Sequence, residues 1–334
     1  MNQKDTKDKI VSASKETWDA VSGKLSEGVF EAFGQTKSSD ELTVKQKVFY
    51  GFLAAVCIVL AFAVIVIAIS FFSNKTFEET FYQVGCGKVE GNIRIIQLSD
   101  LHDTQYGKNN AALLKRIKAL KPDIICMTGD MTDHRSLSRK ATMKFFADAA
   151  QVAPTYFIYG NNEWTWDYSK ARKESDMLWK PLEEAGIHLL RDSKETIDIN
   201  GNTVDIYGVL HSDPKIFWSR AGNSFADAVW KKEDNFKLTL IHEPYLLQEK
   251  PGESWGDLVL AGHTHGGVVV LPKLGPIYER ESGVLPVFRK VKCYMGGVYY
   301  EKHSVIIVNT GLTNKGPIRI NNRPELVIID VNRY

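Results

Sequence analysis

Residues 93–102 read IRIIQLSDLH, an apolar run that ends in a serine, an aspartate and a histidine. Residues 123–133 repeat this arrangement as DIICMTGDMTD, with a glycine and two aspartates after the apolar run. Short apolar runs bounded by polar, turn-forming residues are typical of buried β-strands. Between the two runs, residues 109–120 have helical spacing, and a proline follows at position 122. A strand, a helix and a second strand in this order predict a parallel unit and an α/β fold.

The pattern continues through the rest of the chain. Residues 138–150 are predicted to be helical, and residues 156–159 to form a third strand that ends in Gly160-Asn161. The turn Asn200-Gly201-Asn202 separates two runs that predict a hairpin over 196–209. Further strands are predicted at 238–241, 258–260, 268–271, 304–308 and 326–329. Two packed sheets with helices outside would accommodate all of these elements.

The segment before the first strand contains a long apolar run. No charged residue occurs from Val48 to Phe72, and about 20 apolar residues are enough to cross a bilayer. We therefore predict a polar, partly helical tail over 1–46, a transmembrane helix over 47–73, a linker over 74–91 and a folded domain over 92–334. Lysines at 37, 45 and 47 precede the helix and lysines at 75 and 88 follow it, which favours an extracytoplasmic domain.

Composition places few limits on function. The 334 residues are 44% hydrophobic and 25% charged, as in ordinary globular proteins, and the net charge is +2. A nucleic-acid-binding protein would normally carry a concentrated basic face. No nucleic-acid partner is therefore expected.

Candidate metal ligands follow the ends of the predicted strands. They are Asp100, His102, Asp130, Asn161, His242, His263 and His265. In open α/β sheets, ligands bind beyond the carboxyl ends of the strands, so these side chains are expected to converge. Carboxylate, amide and imidazole groups suit Mn, Zn or Fe. Seven ligands are enough for two divalent metal ions that share one carboxylate.

Taken in order, these motifs resemble those of the calcineurin-like metallophosphoesterase superfamily. The family pattern is Asp-x-His, Gly-Asp-x-x-Asp, Gly-Asn-His-Asp/Glu, a lone His and Gly-His-x-His. Here it reads Asp100-Leu101-His102, Gly129-Asp130-Met131-Thr132-Asp133, Gly160-Asn161-Asn162-Glu163, His242 and Gly262-His263-Thr264-His265. The resemblance covers residues 92–332. It implies the family's four-layer α/β/β/α sandwich, here preceded by one transmembrane helix.

The resemblance also implies roles for individual residues. Asp100, His102 and His265 would hold the first metal, Asn161, His242 and His263 the second, and Asp130 would bridge the two. A metal-bound hydroxide would attack the phosphorus of a phosphoester. Asp133 is expected to orient a site residue, and Glu163 either to orient a site residue or to cap a helix. Arg319 and Arg323 are candidates for binding the substrate phosphate.

Motifs after the last histidine narrow the resemblance further. Leu271-Pro272, Asn309-Thr310-Gly311 and Arg323-Pro324-Glu325 are similar to those of the branch that includes YkuE and YaeI, whose members are commonly membrane-attached or exported. That branch also resembles enzymes that hydrolyse UDP-diacylglucosamine. A lipid-linked phosphoester would suit a domain tethered to a bilayer. The choice among monoester, diester and pyrophosphate, the identity of the metal and the oligomeric state stay open.

Asn162 departs from the family pattern. Most of the family has histidine at this position, where it contacts the phosphate and helps to protonate the leaving group. An asparagine can donate a hydrogen bond to phosphate but is not a general acid near neutral pH. His134 is a candidate replacement. The alternative hypothesis is a metal-binding but catalytically weak membrane scaffold. A soluble cyclic-nucleotide phosphodiesterase or nuclease would share the metal site, but the apolar run and near-neutral charge argue against it.

Overall fold

The structure is a computed structural model. It describes residues 43–136, 138–170, 177–210, 217, 219, 222–230, 234–248, 254–267, 269–271, 274–279, 283–284, 294–301, 303–314 and 319–333. Most of the predicted helical tail, residues 1–42, lies outside this range.

The first described helix is α1, Val44–Ser73. Its 30 residues rise about 45 Å, which exceeds the bilayer's hydrocarbon thickness of about 30 Å. Large apolar side chains such as Leu60 and Phe62 are exposed along it. Among the described helices, α1 is the one long and apolar enough to cross a membrane. It fits the single-pass membrane protein that the sequence predicts.

Residues from Val66 onward form one compact unit built on two six-stranded sheets. The strands of the first sheet are β1 (Glu78–Gly85), β2 (Asn92–Leu98), β3 (Ile124–Met127), β4 (Thr155–Phe157), β5 (His188–Leu189) and β15 (Glu325–Asn332). Their order is β1-β15-β2-β3-β4-β5. β2, β3, β4 and β5 run parallel, β15 is antiparallel to β2, and β1 is parallel to β15.

The strands of the second sheet are β6 (Ser193–Ile199), β7 (Asn202–Gly208), β8 (Phe236–Leu240), β9 (Leu258–Ala261), β13 (Gly297–Glu301) and β14 (Ser304–Val308). Their order is β13-β14-β9-β8-β7-β6, with β7, β8, β9 and β14 parallel and the two edge strands antiparallel. A small antiparallel sheet consists of β10 (Val269–Leu271), β11 (Gly275–Glu279) and β12 (Gly283–Val284).

Helices cover the outer faces of both sheets. They are α2 (Ala111–Leu120), α3 (Lys140–Ala150), α4 (Asn161–Thr165), α5 (Trp179–Glu184) and α6 (Gly222–Phe225). Alternation along β2 shows how the layers form, because successive side chains of a strand point to opposite faces. Ile95 packs in the apolar cluster between the sheets, whereas Ile96 packs in the cluster beneath α2 and α3. A third cluster packs the outer face of the second sheet against helical segments that include Phe225. The predicted α/β/β/α sandwich is confirmed.

The predicted strands are largely confirmed, including the β6–β7 hairpin around Gly201. One region differs. Residues 74–91 were expected to be a linker, but Glu78–Gly85 form β1 along the edge of β15. The partner residues are nearly 250 positions away in the chain, so no local pattern indicates this pairing. The division of the chain into tail, anchor, linker and domain stays a prediction.

Candidate metal centre

The predicted ligands all follow the carboxyl ends of parallel strands. Asp100 and His102 follow β2, Asp130 follows β3, and Asn161 begins α4 shortly after β4. In the second sheet, His242 follows β8, and His263 and His265 follow β9. The two sheets meet here, because the backbone N–H of His263 donates a hydrogen bond to Asp100 Oδ2 at 2.9 Å. One edge of the sandwich therefore collects side chains from both sheets.

A first group contains Asp100, His102 and His265, each offering one ligand atom within 4.8 Å of the others. Asp100 Oδ2 already accepts a hydrogen bond from Ser99 Oγ at 2.5 Å. The other oxygen, Oδ1, is buried without a hydrogen-bond partner among the described residues. It lies 3.6 Å from His265 Nε2 and 3.8 Å from His102 Nε2.

A second group contains Asp100, Asp130 and His242. His242 Nδ1 lies 2.7 Å from the carbonyl of Thr128, so Nδ1–H donates there and Nε2 faces the cluster. Around His242 Nε2 lie Asp130 Oδ1 at 3.6 Å, Asn161 Oδ1 at 3.3 Å and His263 Nδ1 at 3.2 Å. The seven predicted ligands are thus brought together.

The spacing of these atoms fits metal ions. Ligand atoms about 2.0–2.2 Å from one ion lie roughly 3–3.6 Å from each other. The separations around Asp100 and Asp130 are close to that range and too long for direct hydrogen bonds. The buried Oδ1 of Asp100 also needs a cation or donor. The donor set therefore suits divalent metals.

The backbone at the site adopts an uncommon conformation. Asp100, His102, Asp130, His263 and His265 have φ between 48° and 73°, in the left-handed region. Non-glycine residues seldom adopt it, and such strain concentrates at functional sites because the surrounding structure enforces it. This feature was not predicted, since none of these residues is a glycine.

Comparison with known proteins agrees with this geometry. A family model described as calcineurin-like phosphoesterase matches residues 93–267, slightly more than half of the chain. The chain belongs to the calcineurin-like phosphoesterase family. It is a metal-dependent phosphoester hydrolase, of a family that uses a dinuclear metal centre.

Several relatives resemble this phosphoesterase over most of their length. A metallophosphoesterase of Aquifex aeolicus is 30% identical and matches 72% of this chain and 85% of that protein. The phosphodiesterase YaeI of Escherichia coli is 28% identical, over 71% of this chain and 82% of YaeI. The metallophosphoesterase YkuE of Bacillus subtilis is 28% identical, over 70% of this chain and 77% of YkuE. The resemblance to the YkuE and YaeI branch is confirmed.

Charged groups within the phosphoesterase site shift one another's pKa values. Burial raises the pKa of Asp130, but His242 and His102 outweigh burial, and the pKa ends below its ordinary value. Burial lowers the pKa of His242, but Asp130 outweighs burial and raises it to about 10. Burial lowers the pKa of His265 to about 4 against the opposing effect of Asp100. Without metal, His242 therefore carries a proton at neutral pH, and His265 does not.

Glu163 binds the loops of the site through hydrogen bonds. The sequence predicts that it either orients a site residue or caps a helix. Its carboxylate accepts hydrogen bonds from the backbone of Asp130 (2.9 Å), Thr132 (2.8 Å) and Gly160 (2.9 Å). The bond from Gly160 belongs to a capping box at the start of α4. Glu163 thus both caps α4 and holds the loop of Asp130. Burial, and then the charge of Asp130, raise its pKa to about 7.

Asn162 lies between Asp130 and His134. Asn162 Nδ2 donates to Asp130 Oδ2 at 2.6 Å, and its backbone N–H donates to Asp130 Oδ1 at 2.8 Å. Asn162 Oδ1 lies 2.5 Å from His134 Nδ1 and also accepts from the backbone of His134. Asp133, predicted to orient a site residue, bonds the side chain of Arg135. Its role stays a prediction.

The two arginines predicted to bind substrate lie in different surroundings. Arg319 is 7% exposed and donates to backbone carbonyls that include those of His265 and Thr310. Arg323 donates to Thr76 Oγ1 at 2.8 Å and lies 3.9 Å from the carboxylate of Glu78. Contact of either with substrate stays a prediction.

Proposed function

We propose that this chain is a membrane-anchored phosphoester hydrolase with two divalent metal ions, held by the seven predicted ligands. The position of Asp130 supports the proposal most. Its Oδ2 lies 3.6 Å from His102 Nε2, and its Oδ1 lies 3.6 Å from His242 Nε2. One carboxylate thus faces histidines from both sheets, which is the arrangement required of a residue shared between two ions.

Two such ions would supply charge stabilisation for a reacting phosphoryl group and activation of a water molecule. Neighbouring residues of the chain fix the orientation of the ligand side chains. Thr128 fixes the tautomer of His242, and Asn162 donates to both oxygens of Asp130. Because neighbouring groups fix these donors, little reorganisation is needed at the moment of reaction.

His134 is proposed to replace the acid that Asn162 lacks. Because Nδ1–H of His134 donates to Asn162 Oδ1, this hydrogen bond sets the orientation of the ring. The His134 side chain is 28% exposed, so a substrate oxygen can reach it. Asn162 acts here by orienting His134 and Asp130.

The substrate is proposed to be a lipid-linked phosphoester, and the helix α1 supports this. The relative YaeI is named a phosphodiesterase, so a diester is the first substrate to test. An extracytoplasmic catalytic domain is proposed from the lysines that flank α1. Glu90 is 81% exposed and offers a test of this topology. A Glu90→Cys variant should react with an impermeant maleimide in intact cells. Reaction only after permeabilisation would place the domain in the cytoplasm.

The catalytic proposal is tested with the full chain in detergent micelles. Hydrolysis of bis-p-nitrophenyl phosphate and p-nitrophenyl phosphate is measured metal-free and then with Mn²⁺, Zn²⁺, Fe²⁺ or Mg²⁺. We expect metal-dependent turnover, two bound ions per chain, and a loss of about 10²-fold or more in Asp130→Asn. Asp148→Asn is the matched control, because Asp148 pairs with Lys144 on the surface of α3. A chain that binds no metal would refute the proposal, and two bound metals without turnover of these aryl esters would favour a lipid-linked phosphoester as the substrate.

A further inference from the structure

Arg319 is a buried cation whose hydrogen-bond acceptors are neutral. Its Nη1 donates to the carbonyls of Gly311 (3.2 Å) and Thr313 (2.9 Å). Its Nη2 donates to the carbonyls of Thr310 (2.6 Å) and His265 (3.3 Å). Burial lowers the pKa of Arg319 to about 10, so the guanidinium is still charged at neutral pH. Burying a charge costs free energy. The hydrogen bonds to these carbonyls offset that cost, and they form only while the Arg319 side chain keeps this position.

One of those carbonyls belongs to a proposed metal ligand. His265, Gly266 and Gly267 have successive φ values of 52°, 66° and 84°, so the loop makes a left-handed turn at the ligand itself. Asn322 Nδ2 donates to the carbonyls of His265 (2.6 Å) and Gly267 (2.5 Å). Arg319 Nη2 donates in turn to Asn322 Oδ1 at 3.2 Å. Arg319 and Asn322 together hold the turn that aims His265 at Asp100.

The other side of Arg319 contacts the last turn of α1. The backbone carbonyl of Arg319 accepts hydrogen bonds from Ser70 Oγ and from Asn74 Nδ2, the second at 3.1 Å. Asn74 Nδ2 also donates to Ser70 Oγ at 3.3 Å. Ser70 is the one buried residue of α1, in a helix whose other described residues are partly or fully exposed. The polar end of α1 is therefore bonded to the residue whose side chain holds the His265 turn.

We propose that Arg319 is a positioning residue through which the end of the membrane anchor supports the metal centre. The inference rests on the proposed function, since it takes His265 as a metal ligand and α1 as the anchor.

The test uses the full chain in detergent micelles. Mn²⁺ affinity is measured by calorimetric titration, and amide hydrogen exchange of residues 262–267 is measured in the metal-free protein. Arg319→Gln removes the donors to the turn, and Ser70→Ala combined with Asn74→Ala removes the bonds from α1. Arg116→Gln is the matched arginine control, because Arg116 pairs with Glu79. Ser73→Ala is the matched helix control, because Ser73 Oγ bonds only the carbonyl of Ser70 among the described residues.

We expect Mn²⁺ binding to weaken roughly 10–100-fold in Arg319→Gln, the range typical when a group supporting a ligand is lost. The helix double variant should lose roughly three- to tenfold, because two hydrogen bonds are removed. Exchange over 262–267 should rise in both, and the controls should stay within about twofold of wild type. A purely structural role would lower the Tm of the metal-free protein without these selective changes.

Wild-type Mn²⁺ affinity and wild-type exchange in the helix double variant would overturn the inference, even if Arg319→Gln fails to fold. A wild-type chain that binds no Mn²⁺ would instead refute the proposed function. In that case, unchanged hydrogen exchange over 262–267 in the double variant would still contradict the proposal that the end of α1 supports the His265 turn. Increased exchange would support it.

Discussion

Replacing Gly160 by alanine tests how closely the loops of the two strands β3 and β4 must approach. The backbone of Gly160 is extended, with φ −95° and ψ −175°, so alanine adds no conformational strain. Its Cβ, however, would lie 2.8 Å from Asp130 Cγ and closer still to Asp130 Oδ1 and N. Both loops are fixed by hydrogen bonds to the same oxygen of Glu163, so neither can recede without losing one.

The expected effect follows from that overlap. Relieving it requires a shift of about 1 Å in Asp130, and misplacement of this size can lower a catalytic rate about 10²-fold. Overpacking of a fixed site costs about 1–3 kcal/mol of folding free energy. In a domain of this size each kcal/mol lowers the Tm by about 2–4 °C. We therefore expect a small loss of stability and a large loss of kcat/KM on bis-p-nitrophenyl phosphate with Mn²⁺.

Gly201→Ala is the matched control. Gly201 lies in the β6–β7 turn with φ 77°, and nothing lies within 4 Å of the added Cβ. Alanine at this φ is strained and should cost about 1 kcal/mol, with no effect on turnover. If Gly160→Ala keeps kcat/KM within about threefold of wild type, or loses no more than Gly201→Ala, the reasoning about the close approach is refuted.

Three further predictions concern the same site. In Asn162→His, the larger imidazole replaces an amide that lies 2.6 Å from Asp130 Oδ2 and 2.5 Å from His134 Nδ1, and it displaces one of these partners. We therefore expect kcat/KM to fall about tenfold; a tenfold gain would favour the scaffold alternative. In Glu163→Gln, one acceptor oxygen faces donors that two oxygens served, and thermal unfolding at pH 6 should show a loss of about 2–4 kcal/mol. Because the pKa of Glu163 is raised to about 7, the wild-type contribution declines as the pH rises through 7, and the loss should be smaller at pH 8. Unchanged Tm at pH 6 would contradict this. Without metal, the pKa of His242 is about 10 instead of 6.5, so its stabilising pairing with Asp130 is complete below pH 6.5 and lost as the pH rises to about 10. The Tm difference between metal-loaded and chelator-treated protein should therefore widen from pH 6.5 to 9.5, and a constant difference would exclude that proton.

The sequence predicts the parts of the site that depend on local pattern. The apolar runs of β2, β3, β8 and β9 are fully or almost fully buried strands, and the polar residues that follow them do converge. The order of these motifs was enough to indicate the family and the sandwich. The ligand roles of individual residues stay predictions until metal is measured.

The features that the sequence does not predict depend on contacts between distant parts of the chain. The strand β1 alternates weakly, with Phe81 exposed and Tyr82 half-buried, and only its pairing with β15 defines it. The left-handed backbone of Asp100 and His102 is imposed by bonds to the neighbouring loop, such as that from His102 N to the carbonyl of Asp130. The residue types at these positions do not by themselves predict the left-handed conformation. For the same reason, the sequence could not show that Arg319 bonds the turn of His265.

The position of β15 in the first sheet has a consequence for how the protein is made. β15 lies between β1 and β2, yet the ribosome produces it after every other described strand. Until then, β1 lacks the strand it pairs with and β2 has one open edge. Open strand edges invite association with other chains. If α1 is inserted in a bilayer as the chain emerges, the waiting strands stay close to the membrane throughout that interval. Pairing of β15 with β1 and β2, which closes the sheet, must then wait until β15 itself has been synthesised.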